Sequence, residues 1–237
     1  MTQALVLCRK AIEQKQRLLI AVVNAAKVVA MRHNQSLFYS VCAADLVLPD
    51  GMAIVWASRI LRQPLPERVA GIDLFERLLA LADLCGYSAY FLGATQPVLD
   101  AVLKRVHAEY PGLRIAGSRN GYFSEAEAAS VARDISATRP DMLFVAMPSP
   151  KKETFLASWG PKLHASVCHG VGGSFDVFAG KTKRAPRTWQ RLGLEWLYRV
   201  LQEPGRLWQR YLVTNTVFLV LLLSEYVAGS WRSRSTP

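Results

Sequence analysis

The residues best suited to chemistry are few and widely spaced. Asp50 stands in "LPDG", directly after an apolar run. Two readings fit it. A turn Asp caps its own backbone, whereas a carboxylate at a strand end can act as a general base on a substrate hydroxyl. "HGVGGSFD" brings Gly170, Gly172 and Gly173 to the end of another apolar run. Backbone N–H groups in such a turn can approach a phosphate or a nucleoside. The stretch is not a Walker loop, since no Gly-Lys-Ser or Gly-Lys-Thr follows, and "GVGGSF" lacks the last glycine of GxGxxG. "FLGAT" adds a similar turn at Gly93. Asp73 in "RVAGIDLF" reads as a cap at a helix start, and Asp176 in "GSFDVFAG" as a carboxylate that orders a loop. Arg206 and Arg210 are four apart and share a helix face, with Arg199 before the break at Pro204. Converging arginines suit a pyrophosphate whose charge must be stabilised as it leaves.

Charge and composition agree with an anionic partner. The 237 residues carry a net charge of +11. From Lys181 to Arg210 eight Lys or Arg stand against two Glu, so more than half of that excess sits in thirty residues. Six of the eight are Arg, and Trp189, Trp196, Tyr198, Trp208 and Tyr211 lie among them. A solubilising helix face is the plainer reading; bidentate phosphate recognition is the functional one. Hydrophobic residues make up 51%, enough for one sizeable core and against disorder over most of the length. Cys8, Cys42, Cys85 and Cys168 show no CxxC spacing, and the four His are scattered. That pattern suggests reduced thiols and no zinc site. No DxD sequence and no cofactor fingerprint is present. The start carries Arg9 and Lys10 without an apolar segment and cleavage site behind them, unlike a signal peptide.

The elements that must hold these residues alternate. Residues 4–17 predict a helix, and Leu18–Val23 is a continuous apolar run that predicts a buried strand. Helix follows over Ala25–His33, then a short helical piece and a strand ending at Pro49. "GMAIVWASRIL" and "GIDLFERLLALADLCG" predict helices, the second amphipathic and bounded by Gly71 and Gly86. "SAYFLG", "LRIAGSR", "DMLFVAM" and "HASVCHG" predict further strands, separated by helices over "QPVLDAVLKRVHAEY", "SEAEAASVARDISAT" with a serine cap at Ser124, and "KKETFLASWGPKL". Continuous apolar strands alternating with helices predict an α/β fold, a Rossmann-like, mostly parallel sheet covered on both faces. Ligands in such folds bind at the carboxyl ends of strands. Those ends carry Asn24, Asp50, the turn from Gly93 to Thr95, Pro148 to Lys152, and Gly172 to Phe175. Residues 1–180 are thus the expected catalytic core. Residues 181–237 form a helical appendage, with two basic pieces punctuated by Pro186 and by Pro204–Gly205. Leu212–Ala228 is apolar but interrupted by Glu225 and short for a span. Core helix, membrane span and interfacial helix on an anionic membrane are the three readings, the last favoured by the arginines beside it.

Together "LPDG", "ERVAGIDL", "GVGGSFDVFAG", "KRAP" and "GLEWLYRVLQEPGRLWQRY" carry a resemblance. The chain resembles, over roughly Leu19 to Tyr211, the bacterial glycosyltransferase family of the teichoic acid linkage N-acetylmannosaminyltransferase. The enterobacterial common antigen N-acetylmannosaminuronic acid transferase and a xanthan glucosyltransferase belong to the same family. The resemblance implies inverting transfer of a sugar from a UDP-sugar to a saccharide linked through diphosphate to a polyprenol. It also implies no metal or other cofactor and a peripheral place on the cytoplasmic face of the inner membrane. By the same resemblance Asp50 is the catalytic base, and Arg199, Arg206 and Arg210 lie in the block that supplies phosphate-binding arginines. Lys183 and Arg184 open "KRAP" near the same site. Three departures stand out. Val22 replaces a frequent hydroxyl in "VVN", although Asn24 is kept. Lys152 replaces Gln in "PKKE", an extra cation suited to a uronic acid donor. The chain also begins almost on its first helix, where family members usually have another strand.

Two rivals remain at this stage. A nucleic-acid binder would use the same basic and aromatic residues, but the apolar stretch after Tyr211 and the lack of a recognition-helix pattern argue against it. An inactive scaffold in a membrane polysaccharide complex is motivated by Val22 and Lys152, and opposed by Asp50 and the arginine block.

Overall fold

Six strands pair into one sheet, five of them apolar runs and the sixth, at one edge, polar. The computed structural model describes residues 1–232, without the side chains of Arg206 and of residues 229–232. In chain order the strands are β1 (Leu18–Val23), β2 (Leu46–Pro49), β3 (Ser88–Gly93), β4 (Arg114–Arg119), β5 (Met142–Ala146) and β6 (Val167–Gly170). They lie in the order β2-β1-β6-β5-β3-β4. The pairs β1–β6, β6–β5, β5–β3 and β3–β4 are all parallel, with Ile20 beside His169, Phe91 beside Phe144 and Leu143 beside Cys168. Parallel neighbours need long crossovers. The helices between strands supply them: α2 (Ala25–His33), α3 (Gln35–Cys42), α4 (Met52–Ile60), α5 (Gly71–Cys85), α6 (Gln96–Glu109), α7 (Ala128–Thr138) and α8 (Lys151–Trp159), while α1 (Thr2–Glu13) precedes β1 and α9 (Ser174–Phe178) follows β6. Three more follow β6 and α9: α10 (Arg187–Arg191), α11 (Glu195–Gln202) and α12 (Pro204–Arg232). The expected α/β class is therefore observed. The strand order is not the dinucleotide-binding order 3-2-1-4-5-6, which fits the missing fingerprint.

The chain divides into two compact units. The first comprises Met1–Val22, Ser36–Leu48 and Ala70–Lys183. Successive residues of a strand face opposite sides of a sheet, and this unit fills both sides. On one, Phe75 meets Phe144 edge-on at 4.8 Å, and Phe91, Phe175 and Phe178 join them, all fully buried. On the other, Tyr90, Leu92, Leu143 and Val145 pack with Val131, Ile135, Leu156 and Leu163. All four cysteines are free, and burial pushes the thiols of Cys8 and Cys168 up to about 12.

The second unit comprises Val23–Gln35, Pro49–Val69 and the described residues from Arg184 on. Its apolar cluster joins Ala25, Val28 and Val29 of α2, Ala53, Ile54 and Ala57 of α4, and Val217, Phe218, Leu221 and Leu222 of α12. Thus the C-terminal helix packs on the two helices that follow the carboxyl ends of β1 and β2.

Local details differ from the sequence expectations in places. Helix α1 spans Thr2–Glu13 rather than residues 4–17, and Lys15 takes a positive φ of 52°. Asp73 does not cap α5: the cap position is Ala70, and Asp73 sits inside the first turn, where a carboxylate still complements the helix dipole. Ser124 and Glu127 form a reciprocal capping box, Ser124 N–H and hydroxyl donating to Glu127 Oε2, but helix α7 begins after it, at Ala128. The glycine-rich end of β6 runs into the short helix α9 instead of a plain loop. There Asp176 does order a loop, pairing with Lys181 Nζ at 3.2 Å and accepting Thr182 N–H on its carbonyl.

Candidate active site

Asp50 is held by the ends of two strands. Its N–H donates to the carbonyl of Val23 at 2.9 Å, so the residues after β1 and β2 are tied together. Asn24 is the N-cap of α2: its side-chain oxygen accepts from Lys27 N–H at 3.0 Å. That leaves the amide nitrogen, Nδ2, directed at Asp50 Oδ2 at 3.5 Å. One asparagine therefore starts a helix and faces the carboxylate. Gly51 caps α4 just after Asp50, and a Cβ there would lie only 3.7 Å from the Asn24 Cβ. Asp50 is half-buried. This geometry suits a base whose orientation is set by an amide donor.

A third segment braces the same loop. Val69 N–H donates to the Pro49 carbonyl at 2.8 Å, so Arg68 and Asp50 flank one hydrogen-bonded step. Arg68 Nη1 pairs with Glu195 Oε2 at 2.7 Å, with both side chains mostly buried, and Arg184 Nε lies 3.9 Å from Glu195 Oε1. Sequence reading quoted "ERVAGIDL" and "GLEWLYR" as family motifs yet picked neither Arg68 nor Glu195. The signal was there: an Arg directly before the apolar step Val69–Ala70, and the one acid near the start of the arginine comb. Two residues before Glu195, Gly193 takes φ of +68°, and a Cβ on it would come 2.7 Å from the Trp56 ring and 3.0 Å from Met52 Cβ. Helix α4 and the turn into α11 thus meet in a contact that only glycine permits.

The arginine comb is built by aromatic pairs. Trp189 packs edge-on against Tyr198 at 5.7 Å, tying α10 to α11, and Trp196 packs against Tyr211 at 5.8 Å, tying α11 to α12. Arg199 and Arg210 are exposed on these helices. Arg206 lies in α12, and its side chain is outside the described residues. Pro204 opens α12 at a position where its missing N–H costs nothing.

The first unit carries the remaining candidates. Gly93 ends β3 with φ of +128°, and a Cβ there would strike the Ala146 backbone at 2.3 Å, so this turn exists only as glycine. Lys152 is buried, its Nζ 2.8 Å from Glu153 Oε1. Its methylenes run beside Gly170, and the amine ends near Gly172. A glycine-lined strand end thus holds a buried ammonium whose charge is balanced by the next residue. Gly172 is half-buried, and Gly173 and Lys183 are exposed. Of the sequence candidates, Asn24, Asp50, Arg184, Arg199, Arg206 and Arg210 belong to the second unit; Gly93, Lys152, Gly172, Gly173 and Lys183 belong to the first. Among the described residues, no three His, Cys, Asp or Glu side chains gather as a metal ion would require.

One helix among the described residues, over the 22 residues Leu207–Ala228, is long and apolar enough to cross a membrane. It is longer than the 212–228 stretch read from the sequence, because Leu207, Trp208 and Tyr211 continue the same apolar helix. Leu212, Val213, Leu219, Val220 and Leu223 are exposed, while Phe218 and its neighbours pack on α2 and α4.

Comparison with known proteins adds a family. The sequence profile of the glycosyl transferase WecG/TagA/CpsF family matches residues 1–232. An N-acetylglucosaminyldiphosphoundecaprenol N-acetyl-beta-D-mannosaminyltransferase of Bacillus spizizenii is 42% identical over 170 residues, 72% of this chain and 65% of that protein. The protein of the same name in Bacillus subtilis is 36% identical over 214 residues, 90% of this chain and 82% of that protein.

Proposed function

Since this chain belongs to the WecG/TagA/CpsF family of glycosyltransferases, we propose that it transfers a sugar, with inversion, from a UDP-sugar to a saccharide linked through diphosphate to a polyprenol. The observation that carries the reading is the family match along residues 1–232, with Asp50 held against Asn24. Asp50 takes the proton from the acceptor hydroxyl. The acceptor oxygen then attacks the anomeric carbon from the face opposite UDP. The bond from that carbon to the diphosphate oxygen breaks, and UDP leaves with the bonding pair. One base and an in-line displacement invert the anomeric centre. Arg199, Arg206 and Arg210 offset the charge that grows on the diphosphate, the work a divalent metal does elsewhere. The glycine turns at Gly93 and at Gly172–Gly173, with Lys152 beside the second, are the candidates for binding the nucleotide-sugar, and Lys183 and Arg184 for contacts with its phosphates.

The exposed apolar face of α12, with arginines at its start, suits peripheral binding to an anionic membrane on the cytoplasmic side, where the lipid-linked acceptor resides. The donor and acceptor to try first are those in the relatives' name: an N-acetylmannosamine donor and N-acetylglucosaminyl-diphospho-undecaprenol. The test is transfer from a panel of labelled UDP-sugars to polyprenyl-diphosphate-linked acceptors in detergent with EDTA. Product from one donor, undiminished by EDTA, is expected. No product from any donor, beside a working control enzyme, would favour a non-catalytic scaffold in polysaccharide assembly.

A further inference from the structure

Glu195 is an acid among cations. It is the first residue of α11 and the only carboxylate in the sequence from Lys181 to Gln202. Its two oxygens reach different arginines: Oε2 lies 2.7 Å from Arg68 Nη1, and Oε1 lies 3.9 Å from Arg184 Nε. The three side chains are 21%, 12% and 23% exposed, so the pairing is only weakly screened by water. Arg68 is not placed at random. The residue after it donates to the carbonyl of the residue before Asp50. Glu195 therefore joins α11 to the loop that carries the proposed base. Glu195 and Arg199 are four residues apart and share one face of α11. Whatever orients Glu195 also orients Arg199.

We propose that Glu195 is a positioning residue: by gripping Arg68 it sets the face of α11 so that Arg199 meets the donor diphosphate beside Asp50. The inference rests on the proposed transfer from a UDP-sugar. It explains why a basic, phosphate-seeking segment keeps a carboxylate. The carboxylate holds Arg68 and Arg184 on its two oxygens, and four residues on, Arg199 shares its face of α11. The turn at Gly193 fixes the other end of the same joint, against Trp56 and Met52.

The test uses the full-length protein in detergent, with UDP as the binding probe and transfer as the second readout. Glu195→Gln keeps the shape of the side chain and removes its charge. It is expected to weaken UDP binding and kcat/KM by about tenfold, the scale of coupling between residues in one network, with little change in Tm. Adding Arg199→Ala to Glu195→Gln is expected to cost little beyond Arg199→Ala alone, because Arg199 is already misplaced. Wild-type UDP affinity and kcat/KM in Glu195→Gln would overturn the proposal, and so would losses that simply multiply in the double variant. If Glu195→Gln does not fold, Arg68→Lys carries the same test: it keeps the charge, loses the planar fork, and is expected to show the same loss and the same non-additivity with Arg199→Ala. A wild-type protein that binds no UDP would instead sink the donor reading on which this inference stands. UDP binding without transfer would leave the grip on Arg199 measurable by affinity alone.

Discussion

The two units of the chain differ in how they are held. In the first, Phe75, Phe91, Phe144, Phe175 and Phe178 sit within a few per cent of complete burial, packed ring against ring. In the second, the apolar cluster consists of Ala25, Val29, Ala57 and Phe218 at 8–9% exposure, with partly covered neighbours. Much of the remaining apolar surface of α12 faces outward. The first unit resembles a protein interior, close-packed and hard to deform. The second is stitched by hydrogen bonds, one ion-pair cluster, two aromatic pairs and a glycine contact. The proposed base, its asparagine and the arginines all belong to this second unit. The candidate glycine turns at Gly93 and Gly172–Gly173, with Lys152, belong to the first; functional parts that move are drawn from the less stable end of a structure.

Substitutions can sharpen that contrast. The largest effect is expected at Asp50. Asp50→Asn keeps the turn and its N–H bond to Val23 but removes the base, so turnover should fall by about 10²–10⁴-fold, with UDP affinity and Tm nearly unchanged. Equal activity in that variant would remove Asp50 from the mechanism. Next comes the core. Phe144→Ala should lower unfolding stability by about 3–5 kcal/mol, whereas Phe218→Ala, in a shallower cluster, should cost about half as much. Denaturant titration measures both, and equal losses would mean that the second unit is as tightly packed as the first. A subtler change is expected on α12. Leu219→Glu with Leu223→Glu alters exposed positions only, so folding should survive while binding to vesicles rich in anionic lipid falls about tenfold or more. Unchanged vesicle binding would point the exposed face at another partner.

The smallest effect tests the first unit's surface. The backbone N–H and hydroxyl of Ser124 hold the Glu127 carboxyl below the usual carboxylate range. A carboxylate with a depressed pKa stabilises the fold above its unfolded pKa, and that contribution is lost as pH falls through the folded value. Glu127→Gln should therefore melt slightly below wild type at neutral pH and together with it in strong acid. A gap that persists in acid would exclude the carboxylate as its source.

How far the sequence could be read depended on the range of the interaction. Apolar runs such as Leu18–Val23 and Met142–Ala146 announced buried strands, because a strand covered on both faces needs no polar residues. Pro186 and Pro204 marked helix boundaries, since the restriction of proline is local. The same locality misled at Asp73 and α7: a cap depends on where the chain turns in space, and Ala70 and Glu127 hold the cap positions instead. Asn24 and Asp50 were both picked out as strand-end residues, but their meeting was not, because they stand 26 positions apart.

What the sequence determined by itself was the α/β class, the identity of the cationic and aromatic residues, and the motifs that tie the chain to its family. What only tertiary structure decided was which of them act together. The strand order, the ties from Val23 to Asp50 and from Pro49 to Val69, and the grip of Glu195 on Arg68 across 127 residues all join segments that are remote in the chain. Such contacts form only once the sheet and its crossovers have brought the ends together, and no local preference of Arg68 or Glu195 specifies its partner.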